Sequence, residues 1–496
     1  MKILSASQIH SADAYTIQHE PVSSINLMER AAAACIEWIS QNLNQNYSFK
    51  IFCGPGNNGG DGLAIARMLL KAGFETKVFI VRESDKYSPD FLENEKRLKN
   101  SFPLIIHELK SESDLPVIDA SDYVIDALFG TGLSKPLTGI FSKLIEIINS
   151  SDAEIISIDL PSGLYADQHS DGVAIIHANH TLCFQLPKLA FMFAENEKYV
   201  GQFHLLEIGL DREFIAEIPA VNNYLSKYFL QAFLKPRKKF SHKGIYGHAL
   251  LVAGSKGKMG ASVLAARACL RTGVGLLTMH VPEEGIDIMQ ISCPEAMVAI
   301  GEIDFNKYAA LGIGPGLGTD EVAVSILTEL LRSAKNPLVL DADALNIISV
   351  EKELVNQIPV NTILTPHPKE FERIAGKSKN DFDRHELQVS FSKNHKLFIV
   401  LKGAHSCITT PDGISYFNST GNPGMAKGGS GDVLTGMITS LLAQGYSSLE
   451  SALLGVYMHG LAGDIAAEKK GIDGMIARDV VNGIPVAWRE MRKEGL

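Results

Sequence analysis

The sequence predicts a two-domain α/β protein built on parallel sheets, and three observations carry that expectation. First, 496 residues exceed one ordinary domain at roughly 150 residues each. Second, short apolar runs alternate with helix-patterned segments in both halves, which is how strands joined by crossover helices read. Third, a stretch over 212–240 containing Lys235-Pro236-Arg237-Lys238-Lys239 interrupts that rhythm, which then restarts. Such a basic, proline-marked segment reads as a solvated connector. The boundary falls near residue 222, giving domains over 1–222 and 223–496.

In the first domain Phe49–Cys53 is a buried strand, followed by a glycine-rich loop and a helix from about Leu63 to Ala72. Thr76–Val81, Tyr123–Asp126, Ile155–Asp159 and Thr181–Phe184 are further strands. A parallel sheet binds ligands at the carboxyl ends of its strands, so the loops after Cys53, Asp126 and Asp159 share one functional edge. The expected architecture is a Rossmann-like three-layer α/β/α sandwich.

The loop Gly54-Pro55-Gly56-Asn57-Asn58-Gly59-Gly60-Asp61-Gly62 contains Gly-x-Gly-x-x-Gly. With Glu83 ending the next strand, it matches a dinucleotide fingerprint and admits a dehydrogenase reading. The Asn-Asn-Gly-Gly-Asp part goes beyond that fingerprint. It adds carbonyl and carboxylate oxygens, which suit a hard cation.

In the second domain His248–Ala253, Leu276–Val281, Leu338–Asp341, Thr362–Leu364 and Phe398–Lys402 read as strands, with a helix over Ala261–Thr272. Ser406–Thr410 and Ile414–Phe417 flank Pro411-Asp412-Gly413, a hairpin turn. Gly314–Gly318, Asp341–Leu345, Thr365–Glu370 and Lys402–Ser406 each follow a strand-like run and converge on one cleft. The most informative stretch is Asn422-Pro423-Gly424-Met425-Ala426-Lys427-Gly428-Gly429-Ser430-Gly431-Asp432, which opens an apolar helical run over Val433–Leu442. Small residues at a helix start present N–H groups to an anion. A carboxylate at that turn suits phosphate chemistry on a hydroxyl, although Asp432 could also serve as a plain helix cap.

Composition narrows the function classes. A net charge of −10 argues against a general binder of nucleic acid or anionic membranes. No apolar run reaches the roughly 18 residues that span a bilayer, and residues 1–20 carry no signal-peptide core. The six cysteines are scattered without a Cys-x-x-Cys pair, as for buried thiols in the cytoplasm.

Taken together, Ser241–Gly244, Gly314–Gly318, Asp341–Leu345, Thr365–Glu370, Lys402–Ser406 and Asn422–Asp432 resemble the NAD(P)H-hydrate dehydratase family of the ribokinase-like superfamily over nearly all of 223–496. The resemblance implies removal of water from the hydrates of NADH and NADPH (NADHX and NADPHX), with ADP as phosphoryl donor and magnesium on the nucleotide. It implies that Lys402, Gly403, Ala404, His405, Ser406 and Gly431 contact the nucleotide. Ala261, Gly316, His367 and Asp432 would contact the hydrate, with Asp432 as general base. Lys369 stands where that family often has glycine.

Asn57–Asp61, with Asp126–Leu133, Ser157–Leu164 and Phe184–Lys188, resembles the NAD(P)H-hydrate epimerase family over roughly 1–215. That implies interconversion of R and S hydrates and a potassium ion held by Asn58, Asp126 and Ser162. Asn57, Asn58, Gly59, Gly60 and Asp61 would hold the hydrate, together with Gly130, Thr131, Gly132, Leu133, Ser134, Lys135, Pro136 and Asp159. Asp159 would shuttle the proton with Lys188, or else simply cap the turn before Pro161. The resemblance also implies a homo-oligomer. Two other readings share these residues: a ribokinase-like kinase of a small hydroxylated heterocycle, and a first domain that only binds nucleotide and regulates the second.

Overall fold

A computed structural model describes residues 1–43, 47–83, 86–172 and 174–493. The chain forms two compact units, one of Lys2–Ala220 and one of Met1 with Val221–Leu496.

After a two-residue strand β1 (Lys2–Ile3), the first unit contributes β2 (Ser48–Cys53), β3 (Thr76–Val81), β4 (Ile106–Leu109), β5 (Asp122–Ala127), β6 (Glu154–Ile158), β7 (His180–Phe184) and β8 (Gln202–Leu206). The seven strands β2 to β8 form an all-parallel sheet in the order β4-β3-β2-β5-β6-β7-β8. Both faces are covered. Phe49, Ile51 and Cys53 of β2 enter one apolar core, and Phe52 between them enters the other. That explains why β2 reads as a continuous apolar run and not as an alternating one. The strand order reverses between β2 and β5, so the loops that follow them open the crevice where such sheets bind ligands.

The glycine-rich segment departs from its sequence reading. The helix starts at Asn57 and runs to Lys71, so Asn57–Gly62 is its first turn and a half and not a loop. The physical reason is close packing. A Cβ on Gly59 would sit 1.9 Å from the Gly54 carbonyl oxygen, and one on Gly62 would sit 2.6 Å from the Ala127 Cβ. Helix propensity argues against three glycines here, and proximity to the sheet overrides it.

The second unit contributes β9 (Asn222–Tyr224), β10 (His248–Val252), β11 (Leu276–His280), β12 (Met297–Ala299), β13 (Ala310–Ile313), β14 (Leu338–Leu340), β15 (Ile363–Leu364), β16 (Phe398–Leu401), β17 (Cys407–Thr409) and β18 (Ser415–Phe417). Their order is β9-β18-β17-β16-β15-β14-β13-β10-β11-β12. Strands β10 to β16 are parallel, and β17 runs antiparallel to both of its neighbours, β16 and β18. Gly413, at φ +82°, turns the hairpin between β17 and β18. Alternate residues of β10 again enter two cores, Ala249 and Leu251 on one side, Leu250 and Val252 on the other. The order reverses between β10 and β13. There the backbones interlock, with Gly254 N–H donating to the Pro315 carbonyl at 2.8 Å and Gly314 N–H to the Val252 carbonyl at 3.2 Å.

The basic connector is more than solvated. Lys235 Nζ donates to the Gly445 carbonyl at 2.5 Å, and Arg237 donates to the Gly273 carbonyl. Both carbonyls lie just past helix ends, where cations are favoured. The six cysteines are buried and free. Among the described residues no helix is long and apolar enough to cross a membrane.

Candidate functional site

The crevice of the first unit is a cavity of about 540 Å³, lined by Asn57, Asn58, Asp61, Gly130–Leu133, Asp159 and Lys188 among others. Gly59 and Gly60 face the protein interior, against Gly54 and Met28. Ser134, Lys135 and Pro136 do not line the cavity.

Asp159 is the first residue after β6 and adopts φ +62°, a left-handed conformation that costs a non-glycine residue energy. Its Oδ1 accepts from Lys188 Nζ at 2.8 Å and from the Phe184 N–H at 3.2 Å. The Lys188 side chain is 1% exposed. Burial opposes its ammonium form, but Asp159 and the adjacent Cys183 outweigh burial and hold the lysine above its ordinary value. Asp61 is pushed well above the usual carboxylate range by burial, then by Asp159 and Asp13.

Beside the cavity, Asp126 is wholly buried. One of its oxygens accepts from Ser162 Oγ at 2.5 Å and from the Leu128 N–H at 3.3 Å. The other accepts from Ser157 Oγ and the Ser162 N–H, both at 2.8 Å. Burial still raises its pKa against those four bonds. A Cβ at Gly130 would lie 3.5 Å from Asn58 Oδ1, so the Asn58 amide packs on the loop after Asp126. Among the described residues the buried Asn58 Nδ2 has no hydrogen-bond partner.

In the second unit the glycine-rich run ends in the helix Ser430–Ala443, entered through Gly429 at φ +96°. That left-handed backbone is what favours glycine at the turn, where Leu264 and Ala477 pack close by. The first N–H groups of a helix lack intrahelical acceptors and lie at its positive end. They open on a cavity of about 710 Å³ lined by His367, Lys402, Gly403, Ala404, Ser406 and Gly431 together with the Asn418–Ser430 loops. His405 does not line it; its Nδ1 meets the Asn418 carbonyl at 2.9 Å. The loop is fastened by Asp464, which accepts from the Gly421 N–H and from Asn422 Nδ2, both at 2.9 Å.

Asp432 lies one residue beyond that lining. Burial and then Asp341 push its carboxyl up to about 7, with Lys402 acting in the opposite direction. Lys402 Nζ pairs with Asp341 Oδ1 at 2.9 Å, and Thr435 Oγ1 donates to Asp341 Oδ2 at 2.7 Å. Ala342, next to Asp341, has φ +47°, another left-handed non-glycine residue. Ala261 and Gly316 adjoin each other, since a Cβ on Gly316 would lie 3.0 Å from Ala261 Cβ. Both lie outside the 710 Å³ cavity lining, at the strand-order reversal. His367 caps the helix Pro368–Ala375, its Nδ1 accepting from the Lys369 and Glu370 N–H groups at 3.1 and 3.3 Å. Lys369 therefore contributes a backbone donor that any residue but proline could supply.

Sequence reasoning missed three residues. His10 and Asp13 of the helix Ala6–His19 line the first cavity, and His459 lines the second. Burial pushes His459 down to about 4, and its Nε2 lies 3.4 Å from Ser430 Oγ. All three come from helices far in sequence from the motifs, and no local pattern marks them.

One chain thus holds a Rossmann-like unit with a buried acid–lysine pair, and a second α/β unit whose glycine-rich helix start faces a ligand-sized cavity. These define the class of two-site α/β enzymes with a ligand-sized cavity in each unit. Family models agree: residues 24–190 match the YjeF-related protein N-terminus, and 249–486 match NAD(P)H-hydrate dehydratase. The bifunctional NAD(P)H-hydrate repair enzyme of Thermofilum pendens is 35% identical, covering 100% of this chain and 97% of that protein. The Moorella thermoacetica enzyme of the same name is 36% identical, covering 100% and 98%. Among solved structures, the ADP/ATP-dependent NAD(P)H-hydrate dehydratase of Bacillus subtilis, co-crystallised with ATP and Mg2+, is 31% identical with a TM-score of 0.50. It covers 54% of this chain and 99% of its own. A ribokinase-like superfamily protein of Enterococcus faecalis, 28% identical, matches with a TM-score of 0.50 over 55% of this chain and 96% of its own. The chain belongs to the family of bifunctional NAD(P)H-hydrate repair enzymes.

Proposed function

We propose that residues 1–222 epimerise the R and S hydrates of NADH and NADPH, and that 223–496 dehydrate the S form with ADP, releasing AMP and phosphate. The observation that carries the second half is Asp432, a half-buried carboxyl at a glycine-built helix start, placed among Asp341 and Lys402. Hydroxide is a poor leaving group. Asp432 takes the proton of the hydrate's hydroxyl, and the oxygen attacks the terminal phosphoryl group of the nucleotide. The N–H groups around Gly429–Gly431 stabilise the charge on that group in flight. AMP leaves as the new P–O bond forms. The C–O bond then breaks and phosphate departs with its electron pair, the adjacent ring carbon gives up a proton to solvent, and the ring regains its double bond. Lys402 and the Gly403–Ser406 loop hold the nucleotide, while His367, Ala261 and Gly316 bound the hydrate.

Among the described residues no cluster of His, Cys, Asp and Glu forms a metal cage. Magnesium carried on the nucleotide phosphates would neutralise their charge.

In the first unit the donors fit potassium. Asn58, Asp126 and Ser162 supply hard oxygen atoms, Asp126 is buried with its pKa raised, and Asn58 Oδ1 lies against the Gly130 loop that follows Asp126. They would hold the ion, which would supply positive charge near the hydrate. Asp159 moves the proton, and Lys188, 2.8 Å away, orients its carboxyl group. The reading includes a cytoplasmic setting, consistent with six free thiols, and an assembly of identical chains.

A base must be ionised to act, so the dehydration kcat is expected to rise with pH through a group near 7 and to level off above it. The test is the pH–rate profile on pure S hydrate with saturating ADP, or ATP, followed by the return of reduced-nicotinamide absorbance. A rate independent of pH between 5.5 and 8.5 (roughly the window such a base controls) would remove Asp432 from that role.

A further inference from the structure

The first cavity contains a carboxyl that the reading above leaves idle. Asp13 lines it from the helix Ala6–His19, whereas Asp159 comes from the loop after β6. The two carboxyls thus belong to different elements facing one space. Asp159 is committed to Lys188, with a 2.8 Å ion pair. Among the described residues Asp13 carries no hydrogen bond or ion pair, while burial and the charges of Asp159, His10 and Lys188 act on it. Asp61 and Asp90 also line the cavity, and Asp61 is influenced by both Asp13 and Asp159. A half-buried carboxyl without a partner, turned to a ligand cavity, is costly unless something it binds or transfers repays the burial.

Inverting a carbinol carbon needs a proton donor where the old hydroxyl leaves and an acceptor where the new one arrives. One carboxylate pinned by a lysine serves one of those places. We propose that Asp13 is the second catalytic carboxyl of the epimerase site, exchanging a proton with the hydrate's hydroxyl while Asp159 serves the opposite face of the ring. This rests on the epimerase reading and goes beyond it.

In one direction Asp13, as the acid, gives its proton to the hydroxyl on the carbon beside the ring nitrogen. The C–O bond breaks, its electron pair leaves with water, and the positive charge spreads onto that nitrogen. A water molecule then forms the new C–O bond on the other face and loses its proton to the Asp159 carboxylate. One water leaves and one adds, and nothing is oxidised or reduced. The return reaction exchanges the two roles. Burial, then Asp159, raise Asp13 to about 6, where it can hold a proton or release it.

The experiment uses the full chain and pure R hydrate, with conversion to S followed by exchange-resolved NMR in the absence of nucleotide. Asp13→Asn is expected to lower the epimerisation kcat at least about 100-fold, with KM within about threefold. Dehydration of pure S hydrate should be unchanged. Asp13→Glu should retain measurable turnover, and the wild-type profile should show a group titrating near 6 that Asp13→Glu shifts. Asp13→Asn turning over within about threefold of wild type overturns the proposal. So does a wild-type profile without a group near 6, even where the Asn variant fails to fold. A wild-type chain that does not interconvert R and S hydrates would instead refute the epimerase reading itself. Activity lost in Asp159→Asn but kept in Asp13→Asn refutes only the role of Asp13.

Discussion

Asp432→Asn is expected to lower the dehydration kcat by about 1,000-fold, within the range of a general base in phosphoryl transfer, while leaving the KM for nucleotide within about threefold. Asparagine keeps the shape of the side chain, and the N-cap position belongs to Gly429, so Asp432 lies inside the first helical turn and does not cap it. The substitution therefore tests the base alone. Burial and Asp341 push Asp432 up to about 7, as a base working near neutrality requires. Lys402 stays anchored by Asp341 at 2.9 Å, so the nucleotide-facing loop should survive. Initial rates at varied ADP on pure S hydrate check this. A kcat within about tenfold of wild type would remove Asp432 from the role of base. Epimerisation by the same variant should be intact, because its residues lie in the other unit.

Asp159→Asn carries the second large effect, on activity and stability together. It removes the acceptor of the transferred proton, so R-to-S conversion should fall at least about 100-fold. It also strands the Lys188 ammonium, which is 1% exposed and 2.8 Å from the lost charge. Breaking a buried pair in this way typically costs about 3–5 kcal/mol. Asp159 itself is 14% exposed, so the lower end, about 3 kcal/mol, is expected. Asparagine tolerates the left-handed backbone at φ +62° better than alanine does, so little of the loss should come from strain. Adding Lys188→Met to Asp159→Asn should recover much of the stability and none of the activity, since no buried charge then remains. Urea unfolding with a fluorescence or circular dichroism readout measures the first, and R-hydrate turnover the second. A double variant no more stable than the single one would show that Lys188 does not depend on Asp159.

The two glycine-rich motifs were legible for a physical reason: both are places where backbone must approach something closely. Gly429 at φ +96° and Gly59 against the Gly54 carbonyl allow no side chain. What the first motif did not reveal is its own conformation. Asn57–Gly62 reads as a loop on propensity, yet it is helix, because packing on β2 and β5 decides it. Strands β4 and β12 escaped notice because they are short, lie at sheet edges and carry half-exposed residues. Such residues lack the apolar run that marks central strands. At the sites, residues inside motifs could be read, but their partners could not. The pairing of Lys402 with Asp341 spans 61 positions. Asp13 reaches its cavity from the helix Ala6–His19, in which only Ala12 and Thr16 are buried, so no apolar stripe marks it in the sequence. Both joinings depend on sheet topology, which brings distant loops to one edge.

The most direct measurement is recovery of reduced cofactor from an equimolar mixture of R and S hydrates supplied with excess ADP, or ATP, to the intact chain. Two coupled activities should return essentially all of the NADH or NADPH, and Asp159→Asn should stop at the S half over the same period. Recovery that stalls at half in the wild-type chain would contradict the first domain's role. A phosphorylated hydrate that accumulates, with no return of reduced-nicotinamide absorbance, would contradict the dehydratase and make the second domain a kinase.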